Sequence, residues 1–261
     1  MDSLNTASSV QKQYANADNL NTRIAFQQRF SQNTYGFGRW LMDQYDFPAS
    51  ARVLELGCGT GSMWAGKEEL AASFSRLVLT DFSAGMLEEA KANLAGLPKA
   101  EFLQADIQSL PFENGEFDFI IANMMLYHVP DKAKAISEVR RVLRPGGTFV
   151  CATYGEEGLP SYIGAILRGV VEIRPLNTTF TLQNGGAMLQ ASFDRVEKRE
   201  YPDEFLVDDA DAIVSYLMSM TNMVVAGKDF PAEQVRAILA EKIQREGPLH
   251  IPKQYGTFLC K

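Results

Sequence analysis

Six residues in the first half of the chain have the types and spacing to hold a small ligand. Glu55, Gly57, Gly59 and Gly61 stand in the run LELGCGTG, and the acids Asp81 and Asp106 follow at the ends of later apolar stretches. Glycines after a strand let the backbone turn sharply and come close to a ligand where a side chain would intervene. An acid at the Asp81 spacing can accept hydrogen bonds from ribose hydroxyls. Asp106 can accept from an exocyclic amine such as that of adenine. The run falls just short of the dinucleotide fingerprint G-x-G-x-x-G, because the third glycine comes at 61 and position 62 is Ser. Glu55, two residues before Gly57, would repel a pyrophosphate and welcome an ammonium or sulfonium. The pattern suits an adenosine carrying something other than a pyrophosphate.

Elements that could position these residues are legible around them. Residues 1–50 read as helical. Asn21 can cap a helix through Ile24, Phe26 and Phe30, and Phe37, Trp40, Leu41 and Tyr45 recur at helical spacing before Pro48. From 51 to 153 short apolar strands alternate with helices. The strands are ARVLEL (51–56), RLVLTD (76–81), AEFLQAD (100–106), FDFIIAN (117–123) and TFVCAT (148–153). Helices are expected over Met63–Ser73, over Ser83–Leu94 with Ser83 as cap, and after Asp131 with Ile136, Val139 and Leu143 on one face, stopped by Pro145-Gly146-Gly147. Strands apolar on both faces, linked through helices, predict an α/β fold with an open, doubly wound parallel sheet. In such a sheet, ligands bind beyond the carboxyl ends of the strands. The alternation stops over 154–193, which reads as a cap insertion. FDRVEKREY (193–201) reads as a sixth strand with a solvated edge, helices are expected near 209–220 and 231–245, and YGTFLC (255–260) reads as the last strand.

The ordered set E-x-G-x-G-x-G, an acid ending the second strand and A-D near the third resembles class I S-adenosylmethionine (SAM)-dependent methyltransferases. RVLRPGGTFV (141–150) is similar to that family's approach to its fifth strand. NMMLYHV with Pro130-Asp131 is similar to the region after the fourth strand in the ubiquinone/menaquinone-biosynthesis-like, type 11 branch. The resemblance covers about 51–153 specifically and the rest loosely. It implies a seven-stranded, mostly parallel sheet with the last strand antiparallel. It also implies a helical lid over 1–50 and a SAM-binding domain over 51–261. Gly57, Gly59 and Gly61 would face the methionine moiety with Glu55 near its amino end, Asp81 would bind ribose, and Asp106 with Ile107 would hold adenine. Cys58, Phe82, Met86 and Asn123 complete the implied cofactor set, with Tyr14 and Arg29 from the N-terminal helices.

Two residues after the fourth strand, Tyr127 and His128, can serve as a base or orient an acceptor; a hydrogen-bonded structural role is the other reading. Methyl transfer is an in-line displacement, so proximity supplies much of the catalysis and no base is obligatory. His250 reads as structural or exposed. Met188, Met218, Met220 and Met223 suit either an apolar pocket or a methionine-rich core. Tyr35 and Trp40, with Tyr14 and Arg29, either close over the cofactor or pack the helices.

Composition narrows the class of partner. The chain has 261 residues, 46% hydrophobic and 22% charged, with a net charge of −7, ordinary for a globular protein. An acidic balance argues against a nucleic-acid or anionic-membrane partner. Cys58, Cys151 and Cys260 lie far apart in apolar surroundings without a C-x-x-C pair, as expected for buried thiols in a reducing cytoplasm. The polar N-terminus carries no secretory signal, and no metal is called for. The expected function is methyl transfer from SAM to an O, N, S or C nucleophile of a small molecule, releasing S-adenosylhomocysteine. A non-catalytic SAM-binding protein and a nicotinamide-dependent oxidoreductase are the alternatives.

Overall fold

The computed structural model describes residues 18–173, 177–220 and 230–261. The seven-stranded sheet runs β3 (Ala100–Gln104), β2 (Arg76–Asp81), β1 (Arg52–Leu56), β4 (Phe117–Asn123), β5 (Leu143–Tyr154), β9 (Tyr255–Cys260), β6 (Val196–Tyr201). The first five neighbours pair in parallel, and β9 is antiparallel to both β5 and β6. Successive strand residues divide between two apolar layers, as a pleat requires. Leu54, Ile120, Phe149 and Cys151 join one layer with Ile136 and Val139 of α5 (Lys132–Val142) and Leu189 of α7 (Gly185–Gln190). Val53, Phe119, Ile121 and Val150 join the other with Leu41 of α2 (Phe37–Met42), Ala71 of α3 (Glu68–Ser73) and Ala90 of α4 (Ala84–Asn93).

A third apolar cluster lies apart from the sheet. It joins Phe26 and Phe30 of α1 (Asp18–Phe30), Ile163 of α6 (Leu159–Ile166), Ile213 and Leu217 of α8 (Ala210–Met218) and Leu239 of α9 (Ala232–Glu246). Phe205 of β7 (Glu204–Val207) and Ile251 of β8 (Leu249–Pro252) complete it, from a two-stranded antiparallel pair that the sequence reading did not anticipate. The 154–193 segment is shared between layers: Leu159 and Ile163 join this cluster, while Phe180, Leu182 and Phe193 pack on the sheet.

Local differences from expectation have local causes. The helix expected over Met63–Ser73 is a single 3-10 turn, Ser62–Trp64, then α3, because Gly66 between them sits at φ 69°. α1 begins at Asp18, so Asn21 lies within it rather than capping it. Ser83 and Asp131 do cap their helices, accepting from the backbone N–H of Met86 and Lys134. No described helix is long and apolar enough to cross a membrane.

Candidate active site

The strand order reverses between β1 and β4, and a cavity of about 1010 Å³ opens beyond the carboxyl ends of the strands there. Gly57, Gly59, Asp81, Phe82, Met86, Asp106 and Ile107 line it, and so do Tyr127 and His128.

The three glycines do three different jobs. All have positive φ, at 74°, 56° and 76°. Around Gly59 no atom lies within 4 Å of where a Cβ would stand, so this is the open stretch of backbone facing the cavity. At Gly57 a Cβ would meet Met125 Cγ at 3.0 Å. At Gly61 it would meet Leu94 Cδ1 at 2.5 Å, so the third glycine lets the loop pack on α4 and is not among the cavity-lining residues.

Asp81 ties the glycine loop to the next helix. Its Oδ2 accepts from Gly59 N at 2.9 Å and its Oδ1 from Ser83 N at 2.8 Å. Burial pushes its carboxyl above the ordinary range, against these backbone donors. A carboxylate has about four lone-pair sites, and the backbone uses one on each oxygen, which leaves capacity for a vicinal diol. Asp106 accepts from Gln108 N at 2.8 Å and from the Gln108 side chain.

Glu55, Cys58, Gly61, Asn123 and Arg29 lie outside the cavity lining. Glu55 is 3% exposed behind the loop, and its Oε2 accepts from Trp64 Nε1 at 2.6 Å. Burial raises its pKa to about 7, with the Trp64 hydrogen bond opposing. The Cys58 thiol is buried in the sheet layer, where burial pushes its pKa up. Asn123 donates to the Tyr45 hydroxyl at 2.6 Å, and its Oδ1 is buried with no partner among the described residues. Arg29 pairs with Asp209 at 2.7 Å. Tyr14 and Met223 lie outside the described residues. Of the other methionines, Met220 lines the cavity, Met188 packs on the sheet layer and Met218 is exposed. His250 is exposed beside Glu204. Tyr35 is exposed and bonds Asp43, and Trp40 stacks with Phe37.

The opposite end of the cavity is aromatic. Tyr127 and His128 form a 3-10 turn after β4, with ring centroids 4.5 Å apart, and Tyr127 packs on Tyr154 at 4.5 Å. Met124, which precedes them and also lines the cavity, holds φ 53°, a costly backbone state for a residue with a side chain. Burial, then the Arg23 and Lys132 charges, hold the His128 pKa down to about 4, so its imidazole is neutral at neutral pH.

Several lining residues were missed from sequence: Arg23, Gln27 and Ser31 of the N-terminal segment, Tyr216 of α8, and Lys253 and Tyr255 around the start of β9. Arg23, Gln27 and Ser31 recur every four residues and face the cavity, while Phe26 and Phe30, also four apart, face the third cluster. That polar stripe was a readable signal. Lys253 had none: its buried partner Asp203, at 2.6 Å, lies far away in the chain.

A seven-stranded sheet of this order, with a glycine loop and two strand-end acids around one cavity, defines the class I methyltransferase architecture. The YcgJ protein from Bacillus subtilis shares it, with a TM-score of 0.59 at 19% identity over 85% of this chain and 96% of that one. Residues 54–151 match a methyltransferase-domain family. This part of the chain is similar to demethylmenaquinone methyltransferases. One, from Clavibacter sepedonicus, is 39% identical over 43% of this chain and 44% of its own length. Another, from Staphylococcus epidermidis, is 30% identical over 56% and 58%. The chain thus spans about half the length of these curated relatives.

Proposed function

We propose that this protein is a SAM-dependent methyltransferase acting on a small molecule. The observation that carries this reading is one cavity with two chemically different ends: an acid-and-glycine end on β1–β3, and an aromatic end on β4, β5 and β9. The donor fits the first end. Gly59 leaves room beside the backbone, Asp81 keeps acceptor capacity for two ribose hydroxyls, and Phe82, Met86 and Ile107 offer apolar surface to adenine beside Asp106. When bound, SAM supplies an electrophilic methyl group on a sulfonium. A nicotinamide dinucleotide fits less well, since the position that its fingerprint needs as the third glycine is Ser62, which lines the cavity.

The chain's own residues then have limited tasks. Tyr127, Tyr154, Tyr216 and Tyr255 hold the acceptor by its faces and exclude water, so orientation supplies most of the rate. The neutral His128 imidazole accepts a hydrogen bond from a protonated nucleophile and orients it. With a pKa of about 4 it is a weak proton acceptor, which suits an acceptor that arrives already nucleophilic. Transfer goes to an O, N, S or C atom, releasing S-adenosylhomocysteine. Calorimetric titration with SAM and S-adenosylhomocysteine tests the reading. Saturable binding of both is expected; no binding at millimolar ligand overturns it. If SAM binds tightly but no acceptor panel yields methylated product, a non-catalytic SAM-binding role replaces it.

A further inference from the structure

The cavity carries a positive charge, Arg23, that no acid among the described residues balances. Of the charged side chains lining the cavity, Asp81 and Asp106 sit at the ends of β2 and β3, while Arg23 and Lys253 stand across from them. Lys253 is balanced by Asp203 at 2.6 Å. Among the described residues Arg23 has no such balance: no carboxylate there pairs with it, and the hydrogen bond it makes there is a long contact from Nη1 to the Ser219 carbonyl at 3.4 Å. Arg29, on the same helix, does have its acid. Arg23 lines the same cavity as His128, Tyr127, Tyr216 and Tyr255. A guanidinium drawn toward a low-dielectric wall without a counter-ion is costly, and an anionic ligand removes that cost. The planar guanidinium fork also matches a carboxylate with two parallel hydrogen bonds.

We propose that the acceptor of this site is a carboxylate-bearing small molecule with an apolar, planar body, its carboxylate bound by Arg23. The proposal rests on the methyltransferase reading of the cavity. The four tyrosines take the planar body, Arg23 takes the charge, and α1 becomes a specificity element as well as a wall.

The test uses the full chain saturated with S-adenosylhomocysteine and titrated by calorimetry with cinnamate and cinnamamide, which share a shape and differ in charge. Cinnamate is expected to bind roughly tenfold or more tightly, the scale of one charge-assisted hydrogen bond. Arg23→Gln should abolish that preference, Arg23→Lys should keep part of it, and S-adenosylhomocysteine affinity should be unchanged in both variants. Equal binding of the two probes, no cinnamate binding at millimolar concentration, or a preference that survives Arg23→Gln overturns the proposal. A loss of S-adenosylhomocysteine affinity in Arg23→Gln also overturns it, because Arg23 would then serve the donor end. Failure of the unmodified chain to bind S-adenosylhomocysteine would instead overturn the methyltransferase reading itself.

Discussion

Asp81, half-buried, and Glu55, buried, both stand beside the glycine loop, yet they differ in what they can offer a ligand. Asp81 lines the cavity with acceptor capacity to spare. Asp81→Ala should weaken SAM binding by about 1–3 kcal/mol, through lost charge-assisted hydrogen bonds and a looser Gly59; unchanged affinity in a calorimetric titration would remove its ribose role. Glu55 is turned into the core toward Trp64, and folding raises its pKa from 4.5 to about 7. The folded state therefore holds a proton that the unfolded chain has released between these values. Stability from this group is present below the unfolded value and is lost as pH rises through the folded one, by up to about 3 kcal/mol. Denaturant melts from pH 5 to pH 8 should show that loss in the unmodified protein and not in Glu55→Gln. Equal pH slopes in the two would mean that Glu55 is not held protonated. At this scale the sequence placed acids at the ends of the second and third strands, and both line the cavity. It did not separate an acid facing the cavity from one facing a tryptophan, because the Trp64 contact forms only when the loop folds back. Gly61 is similar: its spacing reads as ligand contact, and its neighbour Leu94 makes it a packing residue.

At the scale of elements a buried ion pair joins α1, β7 and the turn between β8 and β9. Lys253, in the turn between β8 and β9, donates to Asp203 in the turn before β7 and to Ser31 just after α1, with both charged side chains almost wholly buried. Its Nζ also lies within 5.0 Å of the Phe205 ring and 5.2 Å of the Tyr255 ring. Although burial opposes it, the hydrogen bonds from Lys253, Ser31 and Asn33 hold the Asp203 carboxyl below its usual range. Lys253→Met should destabilise the protein by about 3–5 kcal/mol, because it strands a buried carboxylate. Adding Asp203→Leu should recover much of that, and chemical denaturation of the single and double variants measures both; a double variant as unstable as the single would refute the pair's role. β1, β2, β4 and β5 were legible because each carries an apolar run bounded by turn residues and buried on both faces, and β3, exposed at the sheet edge, was legible from its place in the alternation. β7 and β8 were not, because each is four residues long and their partnership joins residues some forty positions apart. The helix break at Gly66 went unread for a different reason: a glycine within a helical pattern is tolerated as often as it is decisive.

Over the whole molecule, two apolar layers sandwich the sheet and a third cluster stands over its carboxyl edge, drawing its residues from α1 at one end of the described chain and from β8 near the other. The cavity lies between sheet and cluster, so ligand binding should couple them. Hydrogen exchange should slow on adding S-adenosylhomocysteine in residues 57–62, 81–86 and along α1, whereas the central strands, already protected, should change little. Unaltered exchange along α1 would mean that this helix does not respond to the site. The position of β9 has a consequence for how the molecule comes to exist. It lies between β5 and β6, so β5 pairs across more than a hundred residues, from Phe149 to Cys260. During synthesis, β1 to β5 can assemble as soon as they emerge, but they then wait with the β5 edge bare until Tyr255–Cys260 leaves the ribosome. An unpaired apolar edge invites pairing with another chain. The nascent protein therefore passes through an obligatory interval in which it depends on being shielded, and the closing strand ends that interval.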